Sequence, residues 1–151
     1  MIIEVKGENK MKSLGASLGA AVSGGEVIEM IGDVGAGKTT FTKGFAGGLN
    51  IDEDVQSPSF TISRVYQANS GLRLVHYDFY RLHDAGILTG ELAENQIDSK
   101  TVTIIEWADI VEDVLPQDRL QIKILATGEN SRRVELTALG AKSRKLLEVL
   151  A

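Results

Sequence analysis

Residues 32–39 read Gly32-Asp33-Val34-Gly35-Ala36-Gly37-Lys38-Thr39, which is a complete match to the phosphate-loop pattern G-x-x-x-x-G-K-[ST]. The preceding residues, 26–31, alternate in polarity and include β-branched side chains, as is typical of a strand. After the loop, Phe41, Phe45 and Leu49 recur at helical spacing. The sequence therefore predicts a strand, a glycine-rich turn and a helix in immediate succession.

The expected chemistry of this loop follows from its backbone. Gly32, Gly35 and Gly37 permit conformations that a Cβ would forbid, so that successive N–H groups can point at one phosphate. The N-terminus of the following helix adds unpaired amides and a partial positive charge. We expect Lys38 to reach the β- and γ-phosphates of a nucleotide and the Thr39 hydroxyl to bind a bridging Mg²⁺ ion. The alternative is a glycine-rich turn beside a solvated lysine.

Composition excludes several classes of protein. The chain has 151 residues, which predicts one domain over residues 1–151. It has no cysteine and only two histidines, so disulfides, thiolate nucleophiles, zinc-thiolate sites and His-rich metal sites are excluded. The net charge is −5 without a basic cluster, so we expect any contact with RNA to pass through a partner protein. Neither a membrane-spanning run nor a signal-peptide pattern is visible, and we expect a cytoplasmic protein.

The remaining patterns predict an α/β fold. They indicate short strands and helices, with two β-hairpins, at residues 2–5, 11–22, 60–67 with 72–80, 83–95, 101–105, 119–126 with 132–137, and 141–150. We expect a mixed sheet, parallel at its centre and flanked by helices, with the ligand beyond the carboxyl ends of the parallel strands. The glycines at 44, 47 and 48 weaken the helix after the loop, and we expect them to serve a close approach of that helix to the sheet.

Two carboxylates are candidates for completing a metal-dependent site. Residues 101–106 form an apolar run that ends in Glu106, the Walker B arrangement with glutamate in place of aspartate. The alternative is an exposed glutamate at a strand end. Asp78 lies near the end of another predicted strand and has three open roles, namely water activation, metal positioning or an ion pair with Arg81. Trp107 is either a partly buried core aromatic or a cover over the nucleotide site.

The segment at residues 57–61 also has two interpretations. Many phosphate-loop enzymes place a switch-like segment after the loop's helix, where a hydroxyl senses the γ-phosphate. Ser57-Pro58 is equally an ordinary turn. The sequence does not choose between them.

Four blocks in this order resemble the TsaE family, bacterial P-loop ATPases of tRNA threonylcarbamoyladenosine biosynthesis. The family pattern is G-D-L-G-A-G-K-T-T, S-P-T-[FY], H-x-D-x-Y-R and E-W. The matching blocks are Gly32-Asp33-Val34-Gly35-Ala36-Gly37-Lys38-Thr39-Thr40, Ser57-Pro58-Ser59-Phe60-Thr61, His76-Tyr77-Asp78-Phe79-Tyr80-Arg81 and Ile105-Glu106-Trp107. Val34 replaces the usual leucine and Ser59 the usual threonine, which keeps the hydroxyl at that position.

The resemblance implies a cytoplasmic P-loop NTPase fold and hydrolysis of ATP with Mg²⁺. It implies that two partner proteins, TsaD and TsaB, modify adenosine 37 of certain tRNAs, so that this chain meets tRNA only through the complex. By residue, it implies phosphate contact by Lys38, metal binding by Thr39 and Glu106, and a hydrolytic role for Asp78. It further implies nucleotide contacts by the loop residues and by four others, namely Glu8, Thr40, Trp107 and one of the arginines at 132 and 133, of which we favour Arg132.

Three other functions are weighed against an ATPase. A small-molecule kinase shares the loop but needs an acceptor pocket and an arginine-rich lid, and the sequence shows no dense arginine cluster. A GTPase is disfavoured because no N-K-x-D segment is present to read guanine. A non-catalytic module, whose bound ATP only shapes an interface, needs the same Lys38 and Thr39, so the sequence separates it poorly from a slow ATPase.

Overall fold

The computed structural model describes residues 1–58, 62–84 and 86–151. Within them, strands and helices alternate along most of the chain. In order they are β1 (Ile2–Lys6), α1 (Glu8–Ala21), β2 (Val27–Ile31), α2 (Lys38–Gly48), β3 (Ser63–Gln67), β4 (Arg73–Asp78), α3 (Leu88–Ile97), β5 (Thr101–Glu106), a 3-10 helix (Ala108–Val114), β6 (Leu120–Ala126), β7 (Ser131–Ala138) and α4 (Ala141–Glu148).

The described strands form one seven-stranded sheet in the order β1-β7-β6-β2-β5-β4-β3. The four central strands, β6, β2, β5 and β4, pair in parallel. At the two ends, β3 pairs antiparallel with β4, and β7 pairs antiparallel with both β6 and β1. The predicted fold class, a mixed sheet with a parallel centre and helices around it, is confirmed, and so are the two predicted hairpins.

Successive side chains along each strand point to opposite faces of the sheet and pack into two separate cores. The larger core joins apolar residues of α1, α2 and α4 to one face of the sheet. The smaller core lies on the other face, where α3 and the 3-10 helix cover β4 and β5. In β4, Leu74 belongs to the larger core and Val75 and Tyr77 to the smaller one, as the alternation predicts. Because β2, β4 and β5 are parallel neighbours, their carboxyl ends lie at the same edge of the sheet.

The glycines of α2 correct one prediction. A Cβ at Gly44 would lie 2.1 Å from the backbone oxygen of Lys12, and one at Gly48 would lie 2.2 Å from that of Ala16. The close approach that these glycines permit is therefore to helix α1, and the expectation of contact with the sheet is wrong. Gly47 has no neighbouring atom within 4 Å of its would-be Cβ, so it takes no part in this approach.

Some element bounds differ from the predicted ones. Helix α1 begins at Glu8, three residues earlier than expected, while α3 begins at Leu88, five residues later. Before α3, the Asp84 carboxylate accepts a hydrogen bond from the Gly86 amide at 2.9 Å, a local turn that competes with the helix. The 3-10 helix was not predicted. Within the described part of the chain, none of the helices has both the length and the apolar character needed to cross a membrane.

Candidate functional site

The phosphate loop links the end of β2 to the start of α2. Gly35 and Gly37 have φ values of 80° and 112°, in the left-handed region that favours glycine. A Cβ at Gly32 would lie 2.8 Å from the backbone oxygen of Ile124 on β6. Helix α2 begins at Lys38, so its first amides, which have no intrahelical partner, open onto the loop. The loop therefore has the backbone geometry that suits an anion.

Lys38 is buried at the centre of the site, with 6% of its surface exposed. Its Nζ donates a hydrogen bond to the backbone oxygen of Gly32 at 2.7 Å. The same Nζ lies 3.6 Å from Oε1 of Glu106 and 4.3 Å from the centre of the Trp107 ring. These contacts hold the ammonium group at the mouth of the loop, where it could meet a phosphate.

Glu106 ends strand β5 and is 3% exposed, so the alternative of an exposed strand-end glutamate is wrong. Its Oε2 lies 2.5 Å from Nε2 of His76, a residue of β4. Asp78 is the register partner of Glu106 on β4 and is also buried. The Asp78 carboxylate accepts a hydrogen bond from the Tyr80 amide at 2.9 Å. The structure thus brings the two candidate carboxylates together beside Lys38.

Trp107 follows Glu106 in a left-handed conformation, with φ 56° and ψ 53°. The strained backbone turns the chain out of β5, and the ring lies 4.7 Å from that of Tyr80. Trp107 also packs against the smaller core while lining the cavity described next. The position of Trp107 is therefore compatible with both predictions, a partly buried core aromatic and a cover over the nucleotide site.

Two cavities meet at the phosphate loop and share Gly35, Gly37 and Thr40. The first, the Lys38 cavity, has a volume of about 320 Å³. The residues lining it, besides the shared three, are Val34, Lys38, Thr39, Ser57, Asp78, Tyr80, Arg81, Glu106 and Trp107. It contains every residue to which a catalytic or metal-binding role was assigned from the sequence.

The second, the Glu8 cavity, has a volume of about 300 Å³ and lies between α1, the loop and the β6–β7 connection. Besides the shared three, it is lined by Gly7, Glu8, Met11, Ala36, Glu129, Asn130 and Arg132. Arg132 donates hydrogen bonds from Nε to the backbone oxygen of Ala36 at 2.9 Å and from Nη1 to that of Ser131 at 2.8 Å. The structure therefore places Glu8, Thr40 and Arg132 around one cavity.

Asp33 is the predicted nucleotide neighbour that lies apart from these cavities. It lines a third cavity together with Lys123 and Trp107. Its backbone oxygen accepts a hydrogen bond from Ala36 at 3.0 Å, so it contributes to the loop through its main chain. Of the switch-like segment, Ser57 lines the Lys38 cavity, while residues 59–61, and with them the Ser59 hydroxyl, lie outside the described residues.

Sequence reasoning assigned no role in the site to several of its residues. His76 and Tyr80 stand inside the H-x-D-x-Y-R block, which was a usable signal. Met11, Glu129 and Asn130 carried no signal, because they reach the Glu8 cavity only through the fold. The amide of Gly7 donates to the backbone oxygen of Asn130 at 2.8 Å and so fixes the β6–β7 connection against the start of α1.

The donor set fits a nucleotide with Mg²⁺. Among the described residues, no three His, Asp or Glu side chains form a metal-binding group. Mg²⁺ is commonly held by one or two carboxylates together with phosphate oxygens and water, so a dedicated cage is not required. The Thr39 hydroxyl and the Glu106 and Asp78 carboxylates line the same cavity as the loop and could supply the protein's share of such a shell.

Comparison with known proteins places the chain in a family. Residues 5–134 match the family model described as "Threonylcarbamoyl adenosine biosynthesis protein TsaE". The chain is 42% identical over 141 residues to the tRNA threonylcarbamoyladenosine biosynthesis protein TsaE of Bacillus subtilis, covering 93% of this chain and 87% of that protein. It is 36% identical over 140 residues to the TsaE protein of Streptomyces coelicolor, covering 87% of this chain and 93% of that one.

A solved structure supports the same assignment. The crystal structure of Bacillus subtilis YdiB superposes with a TM-score of 0.80 at 34% sequence identity, covering 99% of this chain and 93% of that one. This likeness extends over nearly the whole length of the chain, including the segments that carry the phosphate loop and the buried carboxylate pair. The chain belongs to the TsaE family of tRNA threonylcarbamoyladenosine biosynthesis proteins.

Proposed function

We propose that this protein is a cytoplasmic Mg²⁺-dependent ATPase that supports the threonylcarbamoylation of tRNA adenosine 37 by partner proteins of the TsaD and TsaB type. The observation that carries the proposal is the convergence of Lys38, Asp78 and Glu106 on one cavity at the phosphate loop. A loop alone binds phosphate. Hydrolysis in addition needs carboxylates that hold the metal's shell and orient water, and two are present.

In this proposal the two cavities divide the nucleotide between them. The Lys38 cavity receives the β- and γ-phosphates, with Lys38 neutralising charge that develops on the transferred phosphoryl group. Thr39 and Glu106 would hold the magnesium ion, which would supply positive charge to offset that of the phosphates. Asp78, the register partner of Glu106, would orient the attacking water.

The Glu8 cavity receives the nucleoside. It shares Gly35, Gly37 and Thr40 with the Lys38 cavity, so one molecule can extend across both. Met11 offers an apolar surface, and Glu8 and Arg132 offer polar groups at the rim. Since Arg132 already donates to Ala36, its contact with the nucleotide would also stiffen the loop.

Two variants test hydrolysis. Glu106→Gln and Asp78→Ala should each reduce phosphate release by about a hundredfold or more, while ATP binding measured by calorimetry in EDTA changes little. Glu112→Gln and Asp113→Ala, exposed residues of the 3-10 helix, are matched controls and should keep wild-type turnover. Unchanged phosphate release in both site variants would reject the proposed hydrolysis at this site, whereas the non-catalytic module predicts that the wild-type protein binds ATP without releasing phosphate.

The kinase alternative and the pathway need separate experiments. Phosphate release from the purified protein with ATP and Mg²⁺, but with no acceptor molecule, is expected here and does not fit a kinase. Copurification with TsaD- and TsaB-type proteins, with and without ATP, tests the partnership. If no such protein binds and the tRNA modification persists without this chain, the pathway role is wrong even where ATP hydrolysis stands.

A further inference from the structure

His76 is a fully buried polar residue, 0% exposed, that the proposed reaction does not yet use. It lies on β4, two positions before Asp78, and its register partner on β5 is Ile104. Glu106 is therefore its diagonal neighbour on the same face of the sheet, a separation that a long side chain can bridge. The Nε2 atom of His76 and Oε2 of Glu106 are 2.5 Å apart.

The chemistry of the two groups fixes the direction of this hydrogen bond. An ionised carboxylate is an acceptor only, so with Glu106 ionised this bond uses the tautomer in which Nε2 of His76 carries the proton and donates it. The second carboxylate oxygen, Oε1, lies on the side of Lys38, 3.6 Å from Nζ. The terminal torsion of a glutamate is broad and soft, and nothing intrinsic to Glu106 selects one orientation. The imidazole holds one oxygen and thereby directs the other toward the Lys38 cavity.

The other nitrogen of the ring shows that His76 is not simply a packing residue. Nδ1 is buried and has no hydrogen-bond partner among the described residues. Buried polar atoms are rarely left unpaired, because the loss of water is then uncompensated. The nearby positions on this face, Leu74 and Ile104, are apolar and belong to the larger core. An apolar side chain at position 76 would fill the same space without burying an unpaired nitrogen. The hydrogen bond to Glu106 is therefore the contribution that distinguishes the imidazole from an apolar side chain.

We propose that His76 is a positioning residue that holds the Glu106 carboxylate in the orientation that binds the magnesium of Mg·ATP. This inference rests on the proposed function, in which Glu106 belongs to the metal's shell. His76 itself touches neither nucleotide nor metal. Groups that orient a ligand in this way commonly contribute about 10- to 100-fold to metal affinity.

The test compares two replacements of similar size. His76→Leu fills the ring's volume without a donor, whereas His76→Gln carries an amide N–H that can reach Glu106 as Nε2 does. Calorimetry with ATPγS, once with Mg²⁺ and once with EDTA, gives the gain in affinity that the metal provides. We expect that gain to fall about tenfold or more in His76→Leu and to be largely retained in His76→Gln, with equal affinities in EDTA.

A third variant guards against failure to fold. His76→Asn carries an amide that is too short to reach Glu106, so its metal-dependent gain in affinity should fall as in His76→Leu. It therefore provides the same test if His76→Leu does not fold. Thermal unfolding of each variant shows that the chain is intact. A merely structural role predicts that stability changes while the metal-dependent gain does not.

The possible failures are distinguishable. If the wild-type protein gains affinity from Mg²⁺ and the Leu or Asn variant keeps that gain, the positioning role is overturned and the proposed function stands. The same holds if His76→Gln loses as much as the other variants. If the wild-type protein does not bind ATPγS, or binds it equally with EDTA, the proposed function is overturned and this inference with it.

Discussion

Asp78 and Glu106 are register partners on the neighbouring parallel strands β4 and β5, and the two residues are 5% and 3% exposed. Two buried carboxylates at this spacing repel each other because few water molecules screen them. Lys38 is the cation that lies nearest to Glu106, at 3.6 Å. The site therefore joins two buried carboxylates with the ammonium of Lys38, and Arg81 lines the same cavity.

We expect Lys38→Met to destabilise the nucleotide-free protein as well as to prevent phosphate binding. Removal of the ammonium leaves the buried Glu106 carboxylate with its hydrogen bond to His76 but without the Lys38 cation, and the loss of one partner of a buried charge pair costs about 2 kcal/mol or more. The free energy of unfolding, measured in urea, should fall accordingly. In a double-mutant cycle, Glu106→Gln should cost less in the Lys38→Met background than in the wild type, whereas additive effects would show that the two groups do not interact.

Trp107 should report nucleotide binding by its fluorescence. It is the only tryptophan in the chain, and Lys38 lies 4.3 Å from the centre of its ring. If Lys38 moves toward a phosphate, this cation–π contact weakens and the emission changes. Titration with ATP should give the same dissociation constant by fluorescence as by calorimetry. A saturating nucleotide that leaves the emission unchanged would show that the environment of the ring does not respond to the site.

The residues that the sequence identified and those that it missed differ in a physical way. Lys38, Thr39 and Glu106 were recognisable because their roles depend on the local pattern of strand, loop and strand end. Asn130 and Met11 could not be recognised, because they reach the Glu8 cavity only once β7 has paired with β1 and α1 has packed on α2. Contacts between segments that are distant along the chain leave little trace in local periodicity.

The fold shows the same division between local and distant information. The parallel centre followed from the strand, loop and helix order, and alternation placed the β4 side chains on the correct faces. The sequence predicted that the glycines of α2 pack against the sheet, whereas they pack against α1. A helix face of small residues indicates a close neighbour but does not identify it. The late start of α3 depends on a side-chain turn at Asp84, for which helical periodicity gives no sign.

Asp118 should make the stability of the chain depend on acid pH. Burial of its carboxyl favours the neutral form, but hydrogen bonds from the Ser143 hydroxyl and from the amides of Ser143 and Lys142 outweigh burial and hold its pKa below the usual range. The ionised carboxylate thereby caps the start of α4. Because the folded pKa is lowered, this stabilisation is present above the ordinary aspartate pKa and is lost as the pH falls through the folded value.

Asp118→Ala should therefore lower the free energy of unfolding by about 1 kcal/mol at pH 7, as the loss of a helix cap does. The difference in free energy of unfolding between Asp118→Ala and the wild type should shrink as the pH is lowered below the ordinary pKa of the aspartate carboxyl. Urea unfolding at neutral and acid pH measures this difference. Glu53→Gln, at an exposed acidic position, is the control and should show no such convergence. A deficit that stays constant with pH would contradict the capping role.

The contact of α1 with α2 should support both the fold and the nucleotide site. Helix α1 carries Glu8 and Met11, and α2 carries Thr40, so both helices line the Glu8 cavity. A Cβ at Gly44 would lie 2.1 Å from the backbone oxygen of Lys12, a contact that is relieved only if α1 and α2 shift relative to each other. Gly44→Ala should therefore destabilise the protein by about 2 kcal/mol and weaken ATP binding, because the walls separate.

Gly47→Ala is the matched control for this prediction. Gly47 lies three residues after Gly44 on the same helix, and an added Cβ there would meet no atom within 4 Å. Helix propensity is then the main effect of the substitution, and it should stabilise the protein by up to about 1 kcal/mol. Its ATP affinity should equal that of the wild type. Chemical denaturation and calorimetry on the two variants measure both effects. If Gly44→Ala unfolds like Gly47→Ala, or if it binds ATP normally despite lower stability, the helix contact does not shape the nucleoside cavity.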